Sequence, residues 1–121
     1  MPPVTITFNP NRPSGQQINC NPDVVHVPFG NGQTVTFNLT GPNGTAFASN
    51  GIYFKNSSPG TLTRDSNTQY TLTDDNDNAT GQEVDYPYGI NVSYQGTDYG
   101  QDPEVANDSG GGAMTVRYHS S

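Results

Sequence analysis

Five consecutive residues, Asp74-Asp75-Asn76-Asp77-Asn78, form the densest set of hard oxygen donors in the chain. Calcium takes oxygen ligands from carboxylates, amide carbonyls and backbone C=O groups, and side chains this close in sequence supply several at once. Calcium is the one cofactor these residues suggest. An EF-hand loop is excluded, because it needs glycine at its sixth position and Ala79 stands there. The competing reading is a solvated acidic turn whose Asn and Asp side chains accept local backbone hydrogen bonds.

A second set of candidates is aromatic. Seven Tyr and five Phe lie among many Asn and Gln residues, a mixture that suits stacking platforms with adjacent hydrogen-bonding groups for a carbohydrate or protein surface. Tyr53, Tyr86, Tyr94 and Tyr99 are expected to be the exposed ones, because their strand neighbours fill the inward parity. Against this, Tyr also fills cores that are short of Leu and Ile, with its hydroxyl reaching water.

Other chemistries find less support. Cys20, His26, Met114 and His119 are the ligand types of a blue-copper site, but their order along the chain is wrong for one. Neither histidine stands in a nucleophile motif, and there is neither a Gly-x-Ser-x-Gly elbow nor a Gly-rich phosphate loop. Glu83 or Glu104 beside an Asp would mimic a glycosidase pair, yet eleven acidic residues make such proximity unremarkable. The pattern Asn-x-Ser/Thr at Asn38, Asn43, Asn56, Asn78, Asn91 and Asn107 has meaning only in a secretory context. The expectation is a protein that is not an enzyme.

Charge narrows the partners. Arg12, Lys55, Arg64 and Arg117 are the only basic residues, and the net charge is -7. Nucleic-acid binders and anionic-membrane binders need clustered Lys and Arg, so neither partner is expected. One cysteine allows no intrachain disulfide. No apolar run approaches the ~20 residues that span a bilayer. Met1-Pro2-Pro3-Val4 carries no basic, then apolar, leader pattern. Scarce Lys with abundant Thr, Asn and Gly suits an exported or surface domain, and localisation stays open.

These residues must be positioned by a lean core, since only 30% of the 121 residues are hydrophobic and mean hydropathy is -0.72. The apolar residues fall at alternate positions in short blocks, as half-buried strands require. Val4-Thr5-Ile6-Thr7-Phe8 is such a block, ended by the turn formers of 9–15. Val25, Val27 and Phe29 share a face, Gly30-Asn31-Gly32 supplies a turn, and Val35, Phe37 and Leu39 alternate beyond it, which predicts a hairpin. Ile52-Tyr53-Phe54, Tyr70 with Leu72, Tyr88-Ile90-Val92-Tyr94 and Met114–Tyr118 complete the set, and Gln95-Gly96 turns the chain toward Tyr99. No window has helical periodicity, so an antiparallel sandwich of seven or eight strands is expected, without the crossover helices of a parallel sheet.

Three resemblances add to this reading. Tyr86-Pro87-Tyr88-Gly89-Ile90-Asn91-Val92-Ser93-Tyr94 resembles strand F of immunoglobulin-like domains, which implies that Tyr88, or else Tyr86, bonds back to the backbone at a sandwich corner. Asp102-Pro103-Glu104-Val105-Ala106-Asn107, with Thr71–Asn76 before it, resembles the closing segment of the small bacterial DP-EP family. That resemblance implies a single immunoglobulin-like sandwich and supplies no catalytic residue. Asp74–Asn78 is similar to the Asp-x-Asn-Asp-Asn linker that binds calcium between cadherin repeats, which implies Asp74, Asn76, Asp77 and Asn78 as the calcium ligand candidates, but the following proline is replaced by Ala79.

The expectation is therefore all-β: one immunoglobulin-like antiparallel β-sandwich over 1–108, then a Gly-rich linker and tail or strand over 109–121. Its expected role is a binding or structural module. The alternative is a calcium-dependent adhesion or carbohydrate-binding module using 74–78. Few lysines blunt the sheet edges, so a monomer or a weak edge-paired dimer is expected.

Overall fold

The computed structural model describes residues 3–28, 32–74, 84–101 and 104–107. Among these residues there are ten strands and no helix: β1 (Val4–Phe8), β2 (Ile18–Asn21), β3 (Val24–Val27), β4 (Gln33–Thr40), β5 (Ala46–Phe54), β6 (Gly60–Ser66), β7 (Gln69–Asp74), β8 (Val84–Tyr94), β9 (Thr97–Gln101) and β10 (Glu104–Asn107). One sheet has the order β2-β1-β4-β7-β6, and the other the order β3-β10-β8-β5 with β9 also paired to β8. β8 carries β5 along one side, while β9 and β10 follow one another along the other.

Period-two alternation makes this a sandwich. Val4, Ile6 and Phe8 of β1, Val35, Phe37 and Leu39 of β4, and Tyr70 and Leu72 of β7 are buried on the inner face of the first sheet. Val25 and Val27 of β3, Tyr88, Ile90 and Val92 of β8, and Phe47 and Ile52 of β5 face them from the second. Burying an aliphatic or Phe side chain contributes about 1.5–3 kcal/mol, so a core this lean depends on nearly every inward position being apolar. Asp74 is the one buried charged residue among those described, at the inward parity of β7 beyond Leu72.

Two expectations need correction. The blocks around Gly30-Asn31-Gly32 do not pair as a hairpin. β3 bonds to β10 in the second sheet, and β4 lies between β1 and β7 in the first. Turn residues report that the chain reverses, not whether it returns beside itself or crosses to the facing sheet. Phe29, Gly30 and Asn31 lie outside the described residues. Second, the sandwich is mixed, since β1 runs parallel to β4 and β10 parallel to β3. The segments between these partners hold other strands that bring the chain around, so no crossover helix is needed.

β5 contains a wide bulge. Phe47 pairs with Val92 and Ile52 with Ile90, so residues 48–51 stand opposite Asn91 alone. Side chains from elsewhere meet the freed carbonyls. Arg64 of β6 donates to the carbonyls of Ala48 at 2.6 Å and Phe47 at 3.0 Å, and Asn91 Nδ2 donates to Asn50 O at 3.1 Å. The Arg64 guanidinium also reaches the Tyr70 hydroxyl and Asn67 Oδ1, and lies 5.7 Å from the Tyr70 ring centroid. Phe47 N donates to Asn67 O at 2.7 Å and Leu39 N to Thr68 O at 2.9 Å, so the β6–β7 turn ties both sheets together.

Candidate functional site

The predicted aromatic residues are not one platform. Tyr53 is the exposed one, at 39%, and its ring lies over Gly89, its cross-strand partner on β8. A Cβ on Gly89 would run into that ring, so the glycine makes room for the tyrosine. Tyr86, Tyr94 and Tyr99 are instead partly buried and packed against the core. The reason is parity: Tyr86 and Tyr94 share the inner face with Tyr88, and Tyr99 stands opposite inward Val92. Tyr94 and Tyr99 both pack on Phe8, with centroids 5.4 and 4.8 Å away. Tyr86 is eight residues from Tyr94 along one strand, roughly 27 Å at the usual rise.

Of the calcium candidates, Asp74 ends β7 with its side chain buried. Asn76, Asp77 and Asn78 lie outside the described residues. Among the described residues, no three His, Cys, Asp or Glu side chains come together as a metal-holding group. His26 is on β3, and Met114 and His119 lie outside the described residues.

Cys20 and Tyr88 form a buried polar pair between the sheets. The Tyr88 hydroxyl is 3.6 Å from Cys20 Sγ, and the thiol also approaches the Pro22 carbonyl at 3.6 Å. Tyr88 is fully buried, with Phe37 and Phe54 against its ring. Its hydroxyl thus meets a side chain of the facing sheet, where the strand-F resemblance implied a backbone partner. Burial pushes the Cys20 thiol from its ordinary 9.0 up to about 11, with the Tyr88 hydrogen bond opposing and the Asp23 charge adding. Burial raises Tyr88 well above the ordinary phenol range, and Cys20 and Asp23 raise it further. A thiol held protonated is a poor nucleophile and a poor metal ligand. This pair belongs to the core.

The open depressions lie elsewhere, around the loop between β1 and β2, the smaller exposing mainly apolar atoms of its polar residues and the larger mainly polar ones. That loop is two successive turns. Arg12 N donates to Asn9 O at 3.3 Å, and Gln16 N donates to Pro13 O at 2.9 Å. Pro10 fixes φ in the first turn, and Gly15, at φ 85°, takes the left-handed position of the second. Asn9 Oδ1 accepts from Asn11 N at 3.0 Å, and Asn9 N donates to Gln17 O at 2.8 Å, closing the loop onto the strands. Two depressions flank it. One of about 150 Å³ is lined by Thr7, Asn9, Arg12, Gln16, Gln17 and Asn19. The other, of about 240 Å³, lies where the edge of the first sheet parts from the second and is bordered by Arg12, Gly15, Gln16, Asn19, Asp23 and Gln101, with Ile18 and Cys20 of β2 also lining it.

No known family model matches this chain, and no curated protein does. The site reading therefore rests on its residues. Sequence reasoning passed over Arg12, Gln16, Asn19, Asp23 and Gln101, because no motif joins them. The usable signal was the loop itself: two prolines and a glycine within 10–15 mark a stiff connection, and stiff loops on a sheet edge carry side chains in fixed places.

Proposed function

We propose that this protein is a non-enzymatic binding or structural module whose contacts are made from loops and sheet edges. One observation carries the reading. An open groove beside the β1–β2 loop is bordered mainly by polar side chains, and the one thiol that lines it, Cys20, is held protonated by burial against the sealed Tyr88, so the groove offers contacts and no activated nucleophile. The sandwich is a scaffold on which binding sites are grafted, so function is argued from that groove and not from the architecture. The DP-EP resemblance of 102–107, of which Asp102 and Pro103 lie outside the described residues, implies an immunoglobulin-like sandwich and supplies no catalytic residue.

The calcium-dependent alternative is tested together with this one. The immobilised protein is screened against glycans, peptides and protein extracts with and without millimolar calcium, and each ligand bound is checked for chemical change. Capture of an unmodified ligand without calcium, with no rise in melting temperature on adding calcium, is expected. A captured ligand returned as product would overturn the non-enzymatic reading. Calcium-dependent capture with a higher melting temperature would favour the alternative, because a ligand that binds only the folded state stabilises it.

A further inference from the structure

We infer that the groove flanking the β1–β2 loop is a binding site for a neutral oligosaccharide, with the two depressions taking successive sugar rings. The inference rests on the binding-module reading and names its site and ligand class. Arg12, Gln16 and Asn19 border both depressions, so the two are neighbours along one surface. At about 150 and 240 Å³, each is smaller than the roughly 300 Å³ at which pockets for drug-sized molecules begin, a size that suits one ring apiece.

The donor set fits hydroxyl groups. Guanidinium, amide and carboxylate side chains are planar and present paired donors, paired acceptors or one of each, the complement of a vicinal diol. Arg12, Gln16, Asn19 and Gln101 have no side-chain hydrogen bond among the described residues, so their capacity is available to a ligand. The two turns fix Arg12 and Gln16 at their closing positions, which reduces the ordering cost of binding.

Charge and edge geometry exclude the nearest competitors. An anionic ligand would face Asp23 beside Arg12 on a chain of net charge -7. An extended peptide added to the edge of β2 would find only four residues to pair with. Few hydrogen bonds and no aromatic platform place the expected dissociation constant on the order of 1 mM, because the cost of association offsets part of what the bonds contribute.

The test is a titration of the intact protein, followed by NMR, with neutral gluco-, manno-, xylo- and galacto-trisaccharides, and with a uronate trisaccharide and a polar tripeptide as comparators. At least one neutral trisaccharide is expected to bind. Arg12→Ala and Gln101→Ala are each expected to weaken it about five- to tenfold, with unchanged melting temperature, because both side chains stand outside the core. Tyr53→Ala, on the outer face of the second sheet, is expected to leave affinity unchanged. Equal binding by the Arg12 and Gln101 variants overturns the site. Binding of the uronate or tripeptide alone overturns the ligand class but keeps the module reading. No binding of any probe overturns the inference, while the broader screen still decides whether the protein binds anything.

Discussion

Arg64→Ala removes the one side chain among the described residues that bonds from β6 to the bulge of β5. Four hydrogen bonds go with it, but they are not equal. Asn67 is exposed, so its Oδ1 reaches water when Arg64 is gone and that loss costs little. The carbonyls of Phe47 and Ala48 belong to residues only 3% and 6% exposed, and residues 48–51 have just Asn91 opposite them on β8. A buried acceptor left unmet costs about 1–3 kcal/mol. Two of them, partly relieved by relaxation of the bulge, give a loss of about 2–4 kcal/mol. At this chain length that lowers the melting temperature by about 8–16 °C. Arg64→Lys is expected to recover less than half of the loss, since a single ammonium has no planar fork with which to span adjacent carbonyls. The assay is urea unfolding followed by tyrosine fluorescence, with the slope compared between variants to confirm that the unfolding reaction is the same. A loss below about 0.5 kcal/mol for Arg64→Ala, the ordinary size of a surface substitution, would refute this account of the bulge.

Other outcomes follow from the core. The Cys20 thiol is raised from 9.0 to about 11 by burial, so the folded state holds its proton more tightly than the unfolded chain. That stability is fully present below pH 9 and is lost as pH rises through about 11, with Tyr88 adding to the fall; roughly 3 kcal/mol from Cys20 should disappear in urea melts across this window, and Cys20→Ala should flatten the decline. The same burial predicts that a thiol reagent at neutral pH reacts with Cys20 only as fast as the protein opens; rapid labelling of the folded protein would contradict it. Gly60→Ala puts a Cβ onto the Thr73 carbonyl of the neighbouring strand, and the forced separation of β6 from β7 should cost about 1–3 kcal/mol by thermal melting; a neutral result would mean the strands do not approach this closely.

Much of the fold was legible because parity is a strong constraint. The blocks at Val4–Phe8, Tyr70–Leu72 and Tyr88–Val92 alternate cleanly, and each is a strand with the expected side inward. β2, β6 and β10 were not read as strands. β2 has only Ile18 and Cys20 to mark it, and β6 is an edge strand whose one apolar residue is Leu62. The absence of an apolar stripe hides an edge strand, since half its surroundings are water. Sheet assignment was the harder loss. Gly30-Asn31-Gly32 between two blocks of alternating apolar residues carries the local marks of a hairpin, but which sheet each block joins is decided by β1, β7 and β10, far away in the chain.

The sites were less legible than the scaffold, for a related reason. Tyr86 and Tyr94 were assigned outward against the parity that put Tyr88 inward, and the structure follows the parity. The groove joins a loop, an edge strand, Asp23 and Gln101, which are spread over most of the described chain and share no spacing.

The claim on which the functional account depends is that ligand meets this molecule beside the β1–β2 loop. Its most direct measurement is side-chain amide NMR of Gln16, Asn19 and Gln101 during titration with the neutral trisaccharide that binds best. The account predicts that these three resonances move together along one binding curve while those of Asn50 and Asn67, at the far bulge, stay fixed. Movement confined to residues 74–78 or to the surroundings of Tyr53, with the three groove amides unchanged, would contradict it.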